Sequence, residues 1–144
     1  MLVQQILNSK AAAGVITLAP GTPVGEAAKL LSEKRIGAVI VSADGTVPLG
    51  ILSERDIVRE LGRRGAGCLT DKVDDLMTSD LTTCTPSDNA NTVLEKMTEG
   101  RFRHMPVMQN DEMVGLISIG DAVKARLAEL AMERDALESM VMGH

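Results

Sequence analysis

A duplication constrains this chain more than any other feature of its sequence. Gly50-Ile51-Leu52-Ser53-Glu54-Arg55-Asp56-Ile57-Val58 recurs as Gly115-Leu116-Ile117-Ser118-Ile119-Gly120-Asp121-Ala122-Val123. Each copy holds a glycine, two aliphatic residues, a serine, two variable residues, an aspartate, an apolar residue and a valine. Aliphatic residues after a glycine read as a buried strand end, and Ser-x-x-Asp reads as a helix start. The pattern points to one supersecondary unit made twice, so the rest of the chain is searched for matching pieces.

Those pieces follow in order. Val3-Gln4-Gln5-Ile6-Leu7 is echoed by Val73-Asp74-Asp75-Leu76-Met77, each a short amphipathic turn. Val15-Ile16-Thr17-Leu18-Ala19-Pro20 is echoed by Leu81-Thr82-Thr83-Cys84-Thr85-Pro86, each a strand ending in proline. Pro20 and Pro86 lie 66 positions apart and Gly50 and Gly115 lie 65 apart, so one residue is lost between the copies. The first copy carries extra residues, Lys10 to Gly14, before its strand. A helix comes next in each half. Thr22 reads as an N-cap with Pro23 at the first helical position, and Val24, Ala27, Ala28 and Leu31 form one apolar stripe. Asp88 reads as the second cap, Ala90, Val93, Leu94 and Met97 repeat the stripe, and Gly100 stands at the helix end.

Two strands complete each half. Ala38 to Val41 is β-branched, Ala43-Asp44-Gly45-Thr46 is a hairpin-type turn, and Val47 to Leu52 returns. The second copy runs His104 to Met108, turns at Gln109-Asn110-Asp111, and returns from Met113 to Ile117. Pro106 cannot donate to a ladder and belongs at an edge or a strand start. A helix from Ser53 to Leu61 closes the first copy, and one from Asp121 to about Met142 closes the second. The fold class is therefore α/β (α+β), two tandem β-α-β-β-α units over residues 1–67 and 68–144 that pair about a pseudo-two-fold axis to share a core. Gly62 to Gly67 reads as a flexible basic linker.

Composition narrows the function. Hydrophobic residues are 44% and charged residues 24%, an ordinary globular balance. No apolar run is long enough to cross a bilayer, and Met1-Leu2-Val3-Gln4-Gln5 lacks a signal peptide's basic start, so the expected location is cytoplasmic. A net charge of −5 argues against a nucleic-acid partner. With no Trp, no Tyr and the single ring of Phe102, bases have no platform on which to stack. Cys68 and Cys84 lie at no metal-ligand spacing and read as incidental thiols. Two histidines, no Walker loop and no metal cluster leave no catalytic or metal residues to name.

Ser-x-x-Asp alone is a capping box. Its repetition in one register, with the same glycine before it, favours a ligand corner as well. A helix N-terminus offers N–H groups and a positive dipole end to phosphate, a serine hydroxyl adds a donor, and a carboxylate can accept from a ribose diol. Lys34 and Arg35 follow the first helix, and Arg101, Arg103 and His104 follow the second, where they could neutralise a helix end or meet phosphate. Gly37 and Ala38 align with Arg103 and His104, so the first half is the weaker site.

The duplicated unit resembles a cystathionine-β-synthase (CBS) domain pair. The resemblance rests on Gly50 to Asp56, on Gly115 to Asp121 and on Arg103-His104-Met105-Pro106-Val107, and it covers nearly the whole chain. It implies an adenine nucleotide in the cleft between the halves, with AMP expected first and ATP or NADH as alternatives, and no required cofactor. By that resemblance Asp56 and Asp121 take ribose hydroxyls, while Ser53 and Ser118 lie by phosphate or ribose. Arg55 lies within the motif. Backbone at Ile16-Thr17-Leu18 and at Thr82-Thr83-Cys84 holds adenine, and Arg103 and His104 supply the basic pair ahead of Met105 and Pro106. It further implies a homodimeric sensor acting on a partner protein. The long last helix agrees, with Val123, Leu127, Leu130, Leu137 and Val141 at heptad spacing and Arg134 in the seam. A ligand-free dimerising scaffold is the alternative.

Overall fold

The computed structural model describes residues 1–10 and 15–143, so most of the extra segment before the first strand lies outside the described residues. The elements run α1 (Val3–Ser9), β1 (Thr17–Leu18), α2 (Val24–Lys34), β2 (Ala38–Val41), β3 (Gly50–Ser53) and α3 (Glu54–Arg64). A 3-10 helix (Gly65–Thr70) leads to α4 (Val73–Leu76), α5 (Ala90–Gly100), β4 (His104–Gln109), β5 (Glu112–Ser118) and α6 (Ile119–Val141). Helices and strands are mixed, and the last helix is long, as the sequence pattern requires.

Contacts gather the chain into two compact units. One comprises Ala13–Leu81 with Asn110–Val114, and the other Met1–Ala12, Thr82–Gln109 and Gly115–His144. The first-repeat unit holds a sheet ordered β1-β2-β3. In it β1 runs parallel to β2, with Thr17 opposite Ile40, and β3 runs antiparallel, with Ser53 opposite Ala38. All four residues of β2 are buried, as a strand with neighbours on both edges and cover on both faces requires. Its core joins Val24, Ala27 and Leu31 of α2 to Val39, Val41 and Leu52 of the sheet and to Val73 and Leu76 of α4. In the second-repeat unit β4 pairs with β5, and Val93, Met97, Met105, Val107 and Ile117 pack against Val3 and Ile6 of α1. Each unit therefore takes its leading helix from the other repeat.

Two backbone bonds make that exchange in the same way each time. Val24 N–H donates to Asp71 O (2.8 Å) and Val73 N–H to Thr22 O (2.8 Å). Ala90 N–H donates to Met1 O (2.9 Å) and Val3 N–H to Asp88 O (2.8 Å). These bonds correct the expected caps. The carbonyls of Thr22 and Asp88 are held by the docked helix, so each residue stays outside its own helix. The N-caps are Pro23 and Asn89, one residue later. Thr22 Oγ1 donates to Ala19 O (2.7 Å), Asp88 accepts from Thr85 N–H (2.8 Å), and Asn89 accepts from Thr92 N–H (2.8 Å).

Other differences have local causes. α5 does end at Gly100, but the left-handed residue that follows is Arg101 (φ 57°), as Arg35 is after α2 (φ 54°). β3 begins at Gly50, not Val47, because the Asp44 carboxylate accepts from Thr46 N–H (2.9 Å) and Val47 N–H (3.0 Å) and holds that stretch as a loop. The expected linker is ordered: α3 runs on to Arg64, which pairs with Glu60 and Asp71, and the 3-10 helix buries Cys68. Pro106 is the third residue of β4 and shapes its edge. In the first repeat Ile40 N–H donates to Ile16 O (3.2 Å) and Ser42 N–H to Leu18 O (2.9 Å). Pro106 stands at the position of Ile40 and has no N–H, so the second copy of β1 is reduced to a single parallel bridge between Cys84 and Val107.

Candidate functional site

Both Ser-x-x-Asp corners sit where a strand becomes a helix. Ser53 ends β3 and caps α3: its Oγ accepts from Asp56 N–H (3.3 Å) and donates to Asp56 Oδ2 (2.9 Å). Ser53 N–H also donates to that oxygen (2.8 Å), which completes a capping box. Arg59, one turn on, donates to Asp56 Oδ1 (2.9 Å). Asp56 is only 7% exposed, and these bonds make its burial tolerable.

Ser118 builds the same box on α6. Its Oγ accepts from Asp121 N–H (3.1 Å) and its N–H donates to Asp121 Oδ2 (2.9 Å). Here the cation comes from far along the chain: Lys10 Nζ donates to Asp121 Oδ2 (2.8 Å) and to Leu116 O (2.9 Å). Burial pushes the Asp121 carboxyl up, but the Lys10 ammonium and the Ser118 N–H together outweigh it and hold the group below the ordinary carboxylate range.

The helix N-termini are less open to an anion than the motif alone suggests. The first N–H of α3, on Glu54, donates to Gly37 O (2.9 Å), and that of α6, on Ile119, donates to Arg103 O (2.8 Å). The third N–H in each goes to the serine. The second, on Arg55 and on Gly120, is engaged by neither capping group. A Cβ at Gly120 would meet nothing closer than Ser118 Oγ at 3.7 Å.

Arg103 is exposed, His104 half-buried, and Met105 and Pro106 buried. The carbonyl bond to Ile119 ties this run to the α6 corner, so Arg103 and His104 lead from Ser118 into β4. Gly37 repeats the backbone bond in the first unit, but Gly37 and Ala38 bring no charge there.

The two threonine strands share one register. The carbonyls of Ile16 and Leu18 accept from β2, as given above. Cys84 N–H donates to Pro106 O (3.0 Å) and Cys84 O accepts from Met108 N–H (2.8 Å). Backbone groups alternate sides along a strand, so the N–H and C=O of Thr17 and of Thr83 point away from β2 and β4. Ile16, Thr17 and Leu18 are half-buried, Thr82 is exposed, Thr83 half-buried and Cys84 buried. Burial and the nearby charge of Asp88 push the Cys84 thiol up to about 11. Within the first unit β2 separates the Thr17 edge from the Ser53 corner.

Sequence reasoning missed Arg59 and Lys10. Arg59 follows Asp56 at i+3, a spacing that brings side chains together on a helix, so a signal existed. Lys10 carries none, because it depends on the docking of α1 in the second-repeat unit. Among the described residues no group of three or more His, Cys, Asp or Glu side chains could hold a metal ion, and no helix is long and apolar enough to cross a membrane.

Comparison with known proteins agrees with this architecture. The family model described as CBS domain matches residues 5–63 and 73–128. A mitochondrial CBS domain-containing protein of Arabidopsis thaliana is 34% identical over 124 residues, which are 83% of this chain and 60% of that protein. The chain thus spans less than two thirds of that relative's length. A CBS-domain containing protein from Agrobacterium tumefaciens is 41% identical in sequence, with a TM-score of 0.82 over 88% of this chain and 99% of its own. A CBS domain protein from Pyrobaculum aerophilum, solved complexed with AMP, is 26% identical, with a TM-score of 0.76 over 92% of this chain and 99% of its own.

Proposed function

We propose a function from one premise: this chain belongs to the CBS domain family. It is a non-catalytic regulatory module that binds an adenine nucleotide, AMP first, with ATP and NADH as the other ligands to test. The observation that carries this reading is the Thr17 edge, whose backbone N–H and C=O face away from β2, with Thr83 in the same register in the second repeat, where its C=O also accepts from Lys96 Nζ (3.5 Å). An adenine presents one donor and one acceptor along its edge, which such a backbone pair matches without aromatic help. Aliphatic neighbours such as Ile16 and Leu18 supply apolar contact. The Pyrobaculum relative's complex with AMP supports the choice of ligand.

In this reading the ribose diol donates to Asp56 or Asp121, and phosphate meets Ser53 or Ser118 and the amide of Arg55 or Gly120. A carboxylate offers about four lone-pair sites. Asp56 accepts bonds from Ser53 N–H, Ser53 Oγ and Arg59, whereas Asp121 accepts from Ser118 N–H and Lys10. Arg103 adds positive charge at a position where the first repeat has Gly37. Both comparisons favour the second corner as the stronger one. Calorimetric titration with AMP, ADP, ATP and NADH tests the proposal: at least one gives a binding isotherm, and no heat from any of them up to millimolar concentration overturns it.

One observation favours a second reading, a homodimeric scaffold acting on a partner protein. Val123, Leu127, Leu130, Leu137 and Val141 of α6 are all exposed, Leu127 and Leu137 each by 62%. Truncation after Leu127 then dissociates the dimer in sedimentation experiments while nucleotides change nothing.

A further inference from the structure

The two units close the outer edge of their last strand differently. In the first-repeat unit Ile51 and Thr78 exchange two backbone bonds, Ile51 N–H to Thr78 O and Thr78 N–H to Ile51 O, both 2.9 Å. Leu116 stands 65 positions after Ile51, in the equivalent place. Its carbonyl accepts instead from the Lys10 ammonium, which at the same time holds Asp121 Oδ2. A mobile, charged donor thus replaces a fixed backbone amide at one corner only. The cation at the other corner, Arg59, belongs to the same helix as its aspartate and is 60% exposed.

We infer that Lys10 is a latch on the second corner that makes binding there depend on a ligand's phosphate. The inference rests on the nucleotide reading above. A ribose diol and the Lys10 ammonium both donate hydrogen bonds to Asp121, so they compete for the carboxylate oxygens. A ligand with a diol and no phosphate must separate an ion pair of 2.8 Å and leaves a partly buried ammonium without a counter-charge. A nucleotide brings that counter-charge with it. Lys10 has three donors on a flexible stem and moves from Asp121 to the phosphate, while Asp121 turns to the diol. No bond is made or broken covalently. The latch therefore penalises nucleosides and spares nucleotides.

The test compares AMP with adenosine by calorimetry on the full chain, in wild type, Lys10→Met and Lys10→Arg. In Lys10→Met the preference for AMP over adenosine falls by about tenfold or more, through weaker AMP and tighter adenosine, and Lys10→Arg keeps most of it. An unchanged preference in Lys10→Met overturns the latch and leaves the nucleotide reading standing. A wild type that binds neither compound, nor any other adenine nucleotide, instead removes the nucleotide reading and the latch with it. Should Lys10→Met fail to fold, Lys10→Gln replaces it, since the amide can still donate to Leu116 O without carrying charge.

Discussion

A Cβ on Gly50 would fall inside the van der Waals surface of Met77 Sδ and 2.9 Å from the Thr78 carbonyl oxygen. The matching Cβ on Gly115 would lie 2.5 Å from Leu7 Cδ2. Both glycines of the repeated motif thus admit the segment that leads into the other repeat, which is reason enough for a glycine there without a ligand. Gly50→Ala is expected to cost about 1–3 kcal/mol, the range for overpacking a closed core. Gly115→Ala costs less, because the tip of Leu7 can turn aside whereas the Thr78 backbone cannot. Urea unfolding of the two variants measures the difference, and equal losses would contradict the account.

The serine caps carry measurable stability. Ser53→Ala and Ser118→Ala each remove the acceptor for the third helix N–H and should cost about 1 kcal/mol apiece, within a range of roughly 0.5–2. Chemical denaturation reads both. A loss below a few tenths would mean that water replaces the hydroxyl at no cost.

Asp121 separates capping from binding. If its carboxylate takes a ribose hydroxyl, Asp121→Ala weakens nucleotide binding by about 1.5–3 kcal/mol, the worth of a charge-assisted hydrogen bond. Titration of the folded variant gives the number, and unchanged affinity would leave the aspartate with its capping role alone.

Arg35 and Arg101 end their helices in the left-handed region, at φ 54° and 57°. A side chain there costs about 1–2 kcal/mol that glycine avoids, although glycine gives back part of the gain through its freer unfolded chain. Arg35→Gly and Arg101→Gly should each raise stability by about 0.5–1 kcal/mol. Thermal melts decide the sign, and a drop would show that the arginine side chains contribute contacts outweighing the backbone strain.

Acid should loosen the Ser42–Val47 loop. Backbone N–H groups of Val47 and Thr46 lower the Asp44 carboxyl from its ordinary 3.8 to about 2. A carboxyl with a lower value in the folded state stabilises it fully above the unfolded value and loses that contribution as pH falls through the folded one. The loop is therefore unaffected down to about pH 4 and loosens between there and about pH 2. An NMR titration of the Asp44 carboxyl should give a midpoint well below 3.8, and Asp44→Asn should remove the step.

What the sequence makes legible here is whatever repeats or is periodic. The stripe of Val24, Ala27 and Leu31 and that of Ala90, Val93 and Met97 are buried as their spacing requires. Ser53-x-x-Asp56 and Ser118-x-x-Asp121 form the boxes that their order spells out. The misplaced caps at Thr22 and Asp88 have a long-range cause, since their carbonyls bind Val73 and Val3 from the other repeat. The reduced second copy of β1 did have a local signal, the alignment of Pro106 with Ile40. At the candidate site the motif reads equally as a cap and as a ligand corner. Bonds to Arg59 and Lys10 fill carboxylate positions that the motif alone leaves open, so a ligand must add to or displace them.

The crossing of α1 into the second-repeat unit has a consequence for how the protein is made. The ribosome adds residues at roughly 5–20 per second, and Val3 and Ile6 emerge more than a hundred residues ahead of Ile117, Ala122 and Ala125, with which they share one buried core. For several seconds at least, α1 of each nascent chain carries an apolar face whose destination has not yet been synthesised. Residues 15–81 meanwhile already contain the three-stranded sheet, α2 and α4 that cover one another. Vectorial synthesis thus favours completion of the first-repeat unit ahead of the second, and a chain stalled between the two is left with α1 unburied.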